Sequence, residues 1–245
     1  GDFRRQINYI GDFRTLFDWY FPGLLPPSPV DVPVALRDTW ETSFYSQTVQ
    51  PALTDPANSA QLLELLAVAQ TPLDAGGSAE QTAAIERLLW YNVLGTADAA
   101  AQLGGQPFDN QARQYTGASD DAALNAGVAR FTADPRALAA LDAGYQTSGR
   151  LLMPVVTLHT TLDPLVPFWH AVEYRAKVEA AGAAAWHEQF AIPRYGHCTF
   201  TALEVLGAFN RLVALTETVT QQKVFLPLVV DNGLESGLNG GRTTD

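Results

Sequence analysis

The chain has 245 residues, 47% hydrophobic and 17% charged, and 26 acids against 15 lysines and arginines leave a formal net charge of −11. That length can bury one sizeable core or two small ones, and the composition excludes disorder over most of the chain. The acidic balance disfavours nucleic acid and anionic membrane as partners. No apolar run approaches the roughly 20 residues that a membrane helix needs.

The chain opens at Gly1 without an initiator Met, a basic leader or an apolar signal segment, and the expectation is either a processed product or an excised piece of a longer chain. Only Lys177 and Lys223 are lysines. Together with the Gly-rich polar end, this favours a secreted protein as the expected localisation.

Up to residue 148 the apolar residues recur at helical spacing, in segments such as 57–70, 79–94 and 134–143, which are rich in Ala and Leu. The Pro-rich stretch 21–33, Gly76–Gly77 and Gly104–Gly105 interrupt them. Asp55–Pro56 and Asp134–Pro135 read as helix starts, with Asp as the cap and Pro in the first turn. An array of short helices is expected over 1–148.

Near Gly149 the pattern changes to strand, helix, strand, helix. MPVVTLH (153–159) is a short β-branched run suited to a buried parallel strand, followed by an amphipathic helix over 167–182 that Gly182 stops. WHEQFAI (186–192) is the next strand, and 199–217 reads as a closing helix with Phe200, Leu203, Leu206, Phe209 and Val213 in one stripe. Such alternation argues for an α/β sheet with functional loops at the carboxyl ends of its strands. Residues 218–245 are expected to be a tail.

Two residues in that second region carry chemistry. Asp163 follows the first strand and His197 lies in a loop after the second, an arrangement in which a carboxylate orients an imidazole as a general base. Acid before base fits the order Ser, Asp, His. No G-x-S-x-G, nor its Asp or Cys equivalent, occurs in the chain. The bland alternatives are an Asp-Pro turn for Asp163 and a Gly-His loop for His197. Of the other histidines, His159 is expected to be buried and bonded to backbone, and His170 and His187 to be surface or packing residues. No metal-binding spacing is present, so no metal and no cofactor are expected.

The segments PVVTLHTTLDPLVP and YGHCTFT resemble the C-terminal part of the α/β-hydrolase fold, of the serine esterase and peptidase kind. The resemblance implies Asp163 as the acid, His197 as the base, residues 1–148 as a helical lid or cap, and 149–217 as the last strands and helices of the hydrolase core. It also implies that the nucleophilic Ser belongs to an upstream half, in the same precursor or in a separate chain. Tannase and feruloyl-esterase relatives look similar at Cys198, where a Cys after the base pairs with one before the nucleophile. A buried free thiol is the alternative reading of that cysteine.

On this reading the substrate is a small ester. Leu165 and Val166 are expected to project into the cleft beside the acid, with Phe168 and Trp169 at its rim. A non-catalytic binding or structural module, and a peptidase of the same fold, are the competing functions.

Overall fold

The computed structural model describes residues 1–26, 28–74 and 78–224. The chain starts with α1 (Phe3–Tyr20), in which the Asp2 carboxylate caps the free Arg5 amide at 3.0 Å. It continues through α2 (Val34–Thr39), a π-helical segment (Trp40–Val49), α3 (Gln50–Thr54), α4 (Ser59–Val68) and α5 (Ser78–Leu103). Then come α6 (Asp121–Gly127) and α7 (Pro135–Gly144), strand β1 (Val155–Leu162), α8 (Trp169–Ala180), strand β2 (His187–Tyr195) and α9 (Ala202–Val224). The Asp-Pro pairs act as their chemistry dictates: Asp55 accepts from the Ala57 amide ahead of a short 3-10 turn, and Asp134 accepts from the Arg136 amide at the start of α7.

The core lies among the helices. One face of α1 supplies Phe13, Leu16 and Phe17, which meet Trp40, Val49, Leu65, Leu88, Leu89 and Val93 from the elements around it, all at zero exposure. The same core takes in an arginine. Arg14 donates to Asp18 at 2.9 Å, to Asn92 Oδ1 at 2.9 Å and to the Pro26 carbonyl, so each nitrogen of its buried guanidinium has a partner. Burial beside it pushes the Asp18 carboxyl up to about 6.

This overturns the expected α/β class and the expected C-terminal portion of an α/β-hydrolase sheet. Among the described residues the sheet has two strands, β1 and β2, paired in parallel from Val155 opposite His187 to Leu162 opposite Tyr195. The protein is mostly helical. The physical reason is where the apolar burial sits: β1 and β2 are largely half-buried, whereas the helical segments expected to be a cap hold the fully buried side chains. Helix alternating with strand over a single interval builds one β-α-β unit, whose first loop packs into the helical core through Leu165.

Two boundaries also move. α5 runs on through Gly95 to Leu103, well past the expected end at 94, because TADAAAQL continues with strong helix formers. α9 extends into the segment expected to be a tail, to Val224, while 225–245 lie outside the described residues, as do Gly76 and Gly77. The apolar stripe of α9 faces outward, with Leu203, Leu206, Phe209 and Val213 all exposed. No helix among the described residues is long and apolar enough to cross a membrane.

Gly149, where the sequence pattern changes, has a structural task. Its φ is +69°, and a Cβ there would fall 2.3 Å from the backbone of Lys177 in α8. The absence of a side chain is what lets the chain enter β1 against that helix.

Candidate active site

β1 and β2 run in the same direction, so both end on one side, and the chain leaves each of them into a turn at that edge. After β1, Asp163 turns back on its own loop. Its Oδ1 accepts the amides of Leu165 and Val166, each at 2.9 Å, and the residue is 2% exposed. After β2, Gly196 (φ +100°) and Cys198 (φ +55°) are both in the left-handed region and bracket His197, bending it back towards β1. Two bonds tie this turn to the first strand: Thr160 Oγ1 donates to the Gly196 carbonyl at 2.6 Å, and the Gly196 amide donates to the Leu162 carbonyl at 3.2 Å.

The result is contact between the two residues singled out in the sequence. His197 Nδ1 lies 2.7 Å from Asp163 Oδ2. An ionised carboxylate only accepts, so Nδ1 carries the proton and Nε2 is the basic nitrogen of the neutral ring. The hydrogen bond to Asp163 raises the His197 pKa above its usual value, against a smaller opposing effect of burial. The imidazole is partly open to solvent, with 38% of its side chain exposed. The contact fixes the tautomer and stabilises the imidazolium, two features that a general base requires.

Cys198 Sγ is 3.5 Å from His197 Nε2. Burial first, and the Asp163 charge second, raise its pKa, so the thiol stays protonated near neutrality and acts as a weak donor to Nε2. The cysteine is free and exposed, which departs from a buried thiol. Its left-handed backbone, costing on the order of 1–3 kcal/mol for a non-glycine residue, follows from the same turn that aims His197.

His159 sits on β1 beside the pair. Its Nε2 is 2.7 Å from the Val166 carbonyl and 3.7 Å from Asp163 Oδ2, so it bonds to backbone and flanks the carboxylate without a hydrogen bond to it. His170 and His187 make packing contacts. His170 accepts from the Asp2 amide and bonds Gln6 Oε1 at 2.7 Å, and His187 bonds Thr157 Oγ1 at 3.0 Å. Among the described residues no three His, Cys, Asp or Glu side chains gather as a metal-binding group would.

The four expected substrate contacts separate. Leu165 is buried in the helical core, whereas Val166 lines two neighbouring cavities of about 340 and 370 Å3. Phe168 stands edge-on to His159, with ring centroids 5.7 Å apart. Trp169 is covered by the Arg5 guanidinium, 3.9 Å from its ring centre, and stacks on His170. Phe168 and Trp169 line neither cavity and act as packing around the acid loop.

Sequence reasoning missed the tethers from α1. Tyr9 Oη donates to the Pro164 carbonyl at 2.6 Å, and Gln6 Nε2 donates to the Leu165 carbonyl at 2.9 Å, which fixes the acid loop from a helix at the far end of the chain. Polar residues on the buried stripe of α1 were the available signal. Comparison of the chain with family models, with curated proteins and with solved structures finds no match.

Proposed function

We propose that Asp163 and His197 are the acid and base of a hydrolase acting on small carboxylic esters, with the nucleophilic hydroxyl supplied by a serine outside the described residues, on an upstream half or a partner chain. The observation that carries this is the 2.7 Å contact between His197 Nδ1 and a buried carboxylate, on an imidazole whose side chain is 38% exposed. The resemblance of the acid and base loops to serine hydrolases supports it through those residues alone, independently of the sheet. His197 Nε2 takes the proton of the attacking hydroxyl, Asp163 holds the ring and stabilises the imidazolium, and the base returns the proton to the leaving alcohol. Water then hydrolyses the acyl-enzyme by the same route. An exposed apolar stripe on α9 suits burial against a further polypeptide.

The test uses a p-nitrophenyl ester and a serine-reactive phosphonate. Residues 1–245 alone are expected to give no acyl-enzyme burst and no labelling. The native assembly containing an upstream half is expected to give both, and His197→Ala in that assembly to abolish the burst. Stoichiometric phosphonate labelling of the lone chain would overturn the requirement for an outside serine. A thiol route through Cys198 has one observation in its favour, the 3.5 Å approach to Nε2; turnover by the lone chain that iodoacetamide eliminates would identify it.

A further inference from the structure

The cavity of about 340 Å3 that touches the acid loop only at Val166 is built differently from the rest of the surface. Its walls are Ile7 and Ile10 of α1, Tyr91 of α5 and Phe108, and its floor on α5 is Gly95 and Ala99, one turn apart and nearly without side chains. Phe108 reaches the wall because residue 11 is glycine, since a Cβ there would lie 2.3 Å from its ring. Position 95 is the opposite case: a Cβ at Gly95 would meet nothing within 4 Å, so the space above it is open.

The side-chain amides of Gln6, Asn92 and Gln106 line this cavity, but protein partners already occupy them. Gln6 gives its amide to the Leu165 carbonyl and receives from His170, while Asn92 receives from Arg14 and donates to the Pro29 carbonyl and Thr96. Gln106 donates to the Thr132 carbonyl and receives from the Phe108 amide. A cavity holds ordered water when it offers two to four unmatched polar partners, and an apolar one stays dry and takes an apolar guest. An enclosed void of about 150 Å3 suffices for benzene, and this cavity, open to solvent beside Phe3 and Tyr91, offers about 340 Å3.

We propose that this cavity is a binding site for a small neutral apolar molecule, about the size of a fused bicyclic arene. The site stands apart from the hydrolase reading, because neither Asp163 nor His197 lines it. Three aromatic rings, Phe3, Tyr91 and Phe108, are at hand to contact the edge or face of such a guest.

The probe is prodan, a neutral naphthalene whose emission shifts to the blue in apolar surroundings, titrated into the full chain. Saturable one-to-one binding is expected. Gly95→Leu fills the cavity from its floor and places a better helix former in α5, so it should keep or raise the melting temperature while weakening prodan binding at least tenfold. Ala99→Leu should do the same and carries the test if the first variant does not fold. His197→Ala should bind as the parent does, as should Phe209→Ser on the exposed stripe of α9. The proposal is overturned if the parent shows no saturable binding, if folded filling variants bind unchanged, or if Phe209→Ser alone removes binding.

Discussion

Asp163→Ala should be among the most damaging single substitutions in this chain, and its cost can be worked from the bonds it removes. The carboxylate accepts two backbone amides at 2.9 Å and the His197 ring at 2.7 Å while 2% exposed. Hydrogen bonds to a charged group contribute roughly 1.5–3 kcal/mol each, and a buried amide left without a partner costs about 1–3 kcal/mol. Water reaching the new space would recover part of this, and the partly exposed His197 regains hydration. The net loss should therefore be about 3–5 kcal/mol, a large share of the roughly 5–15 kcal/mol that stabilises a domain. Asp163→Asn should cost only about 1–2 kcal/mol, because its Oδ1 still accepts both amides. Its amide would, however, face Nδ1 with a donor and drive the proton to Nε2, removing the basic nitrogen. Urea unfolding at constant m reads both variants. A loss below about 1 kcal/mol for Asp163→Ala would mean that the acid loop is held by the α1 tethers alone and that the carboxylate contributes nothing to its stability.

Because the His197 pKa is raised in the folded state, its contribution to stability should be fully present below the unfolded value near 6.5 and fade as pH rises through the higher folded value; NMR titration of the imidazole should give a midpoint that Asp163→Asn lowers. Any hydrolytic rate that uses His197 as base should rise with pH through that same elevated midpoint. Burial raises Asp12 to about 6, so its ionisation opposes folding, and stability should fall between about pH 4 and 6; Asp12→Asn should flatten that segment in urea titrations. Gly149→Ala should cost about 2–4 kcal/mol, since a side chain there meets both a positive φ and the α8 backbone, and a melting temperature within a degree of the parent would contradict the close approach. Tyr9→Phe should lose about 1–2 kcal/mol and broaden hydrogen exchange at Leu165 and Val166, because the Pro164 carbonyl loses its donor.

The Asp–His contact was legible because few steps separate it from the sequence. β-branched runs fix two strands, a crossover through the intervening helix makes them parallel neighbours, and residues just past their carboxyl ends are then brought together. The fold class was not legible for the same local reason. A strand–helix–strand interval looks alike whether it sits in a wide sheet or alone, and the number of strands depends on partners that periodicity does not encode. Leu165 and Val166 are equally apolar, and only the direction of the Asp163 turn sends one into the core and the other to a cavity wall. The apolar stripe of α9 shows the limit of period counting: spacing identifies a face, and what covers it is a tertiary matter. The π-helical stretch Trp40–Val49 carries no recognisable sequence signal; within it Trp40 stacks on Phe44 and meets Tyr45 at a tilt.

The tethers from Tyr9 and Gln6 span 155 and 159 positions of chain. Closing a loop of that length costs about 4.5 kcal/mol of chain entropy. The acid loop is therefore among the last parts to acquire its final shape, in the manner of other long-range contacts that form slowly. During refolding the helical signal should recover first, and protection of the amides at Leu165 and Val166 should appear in a later phase, so a chain that already looks folded by its helices would still lack the Asp163–His197 contact.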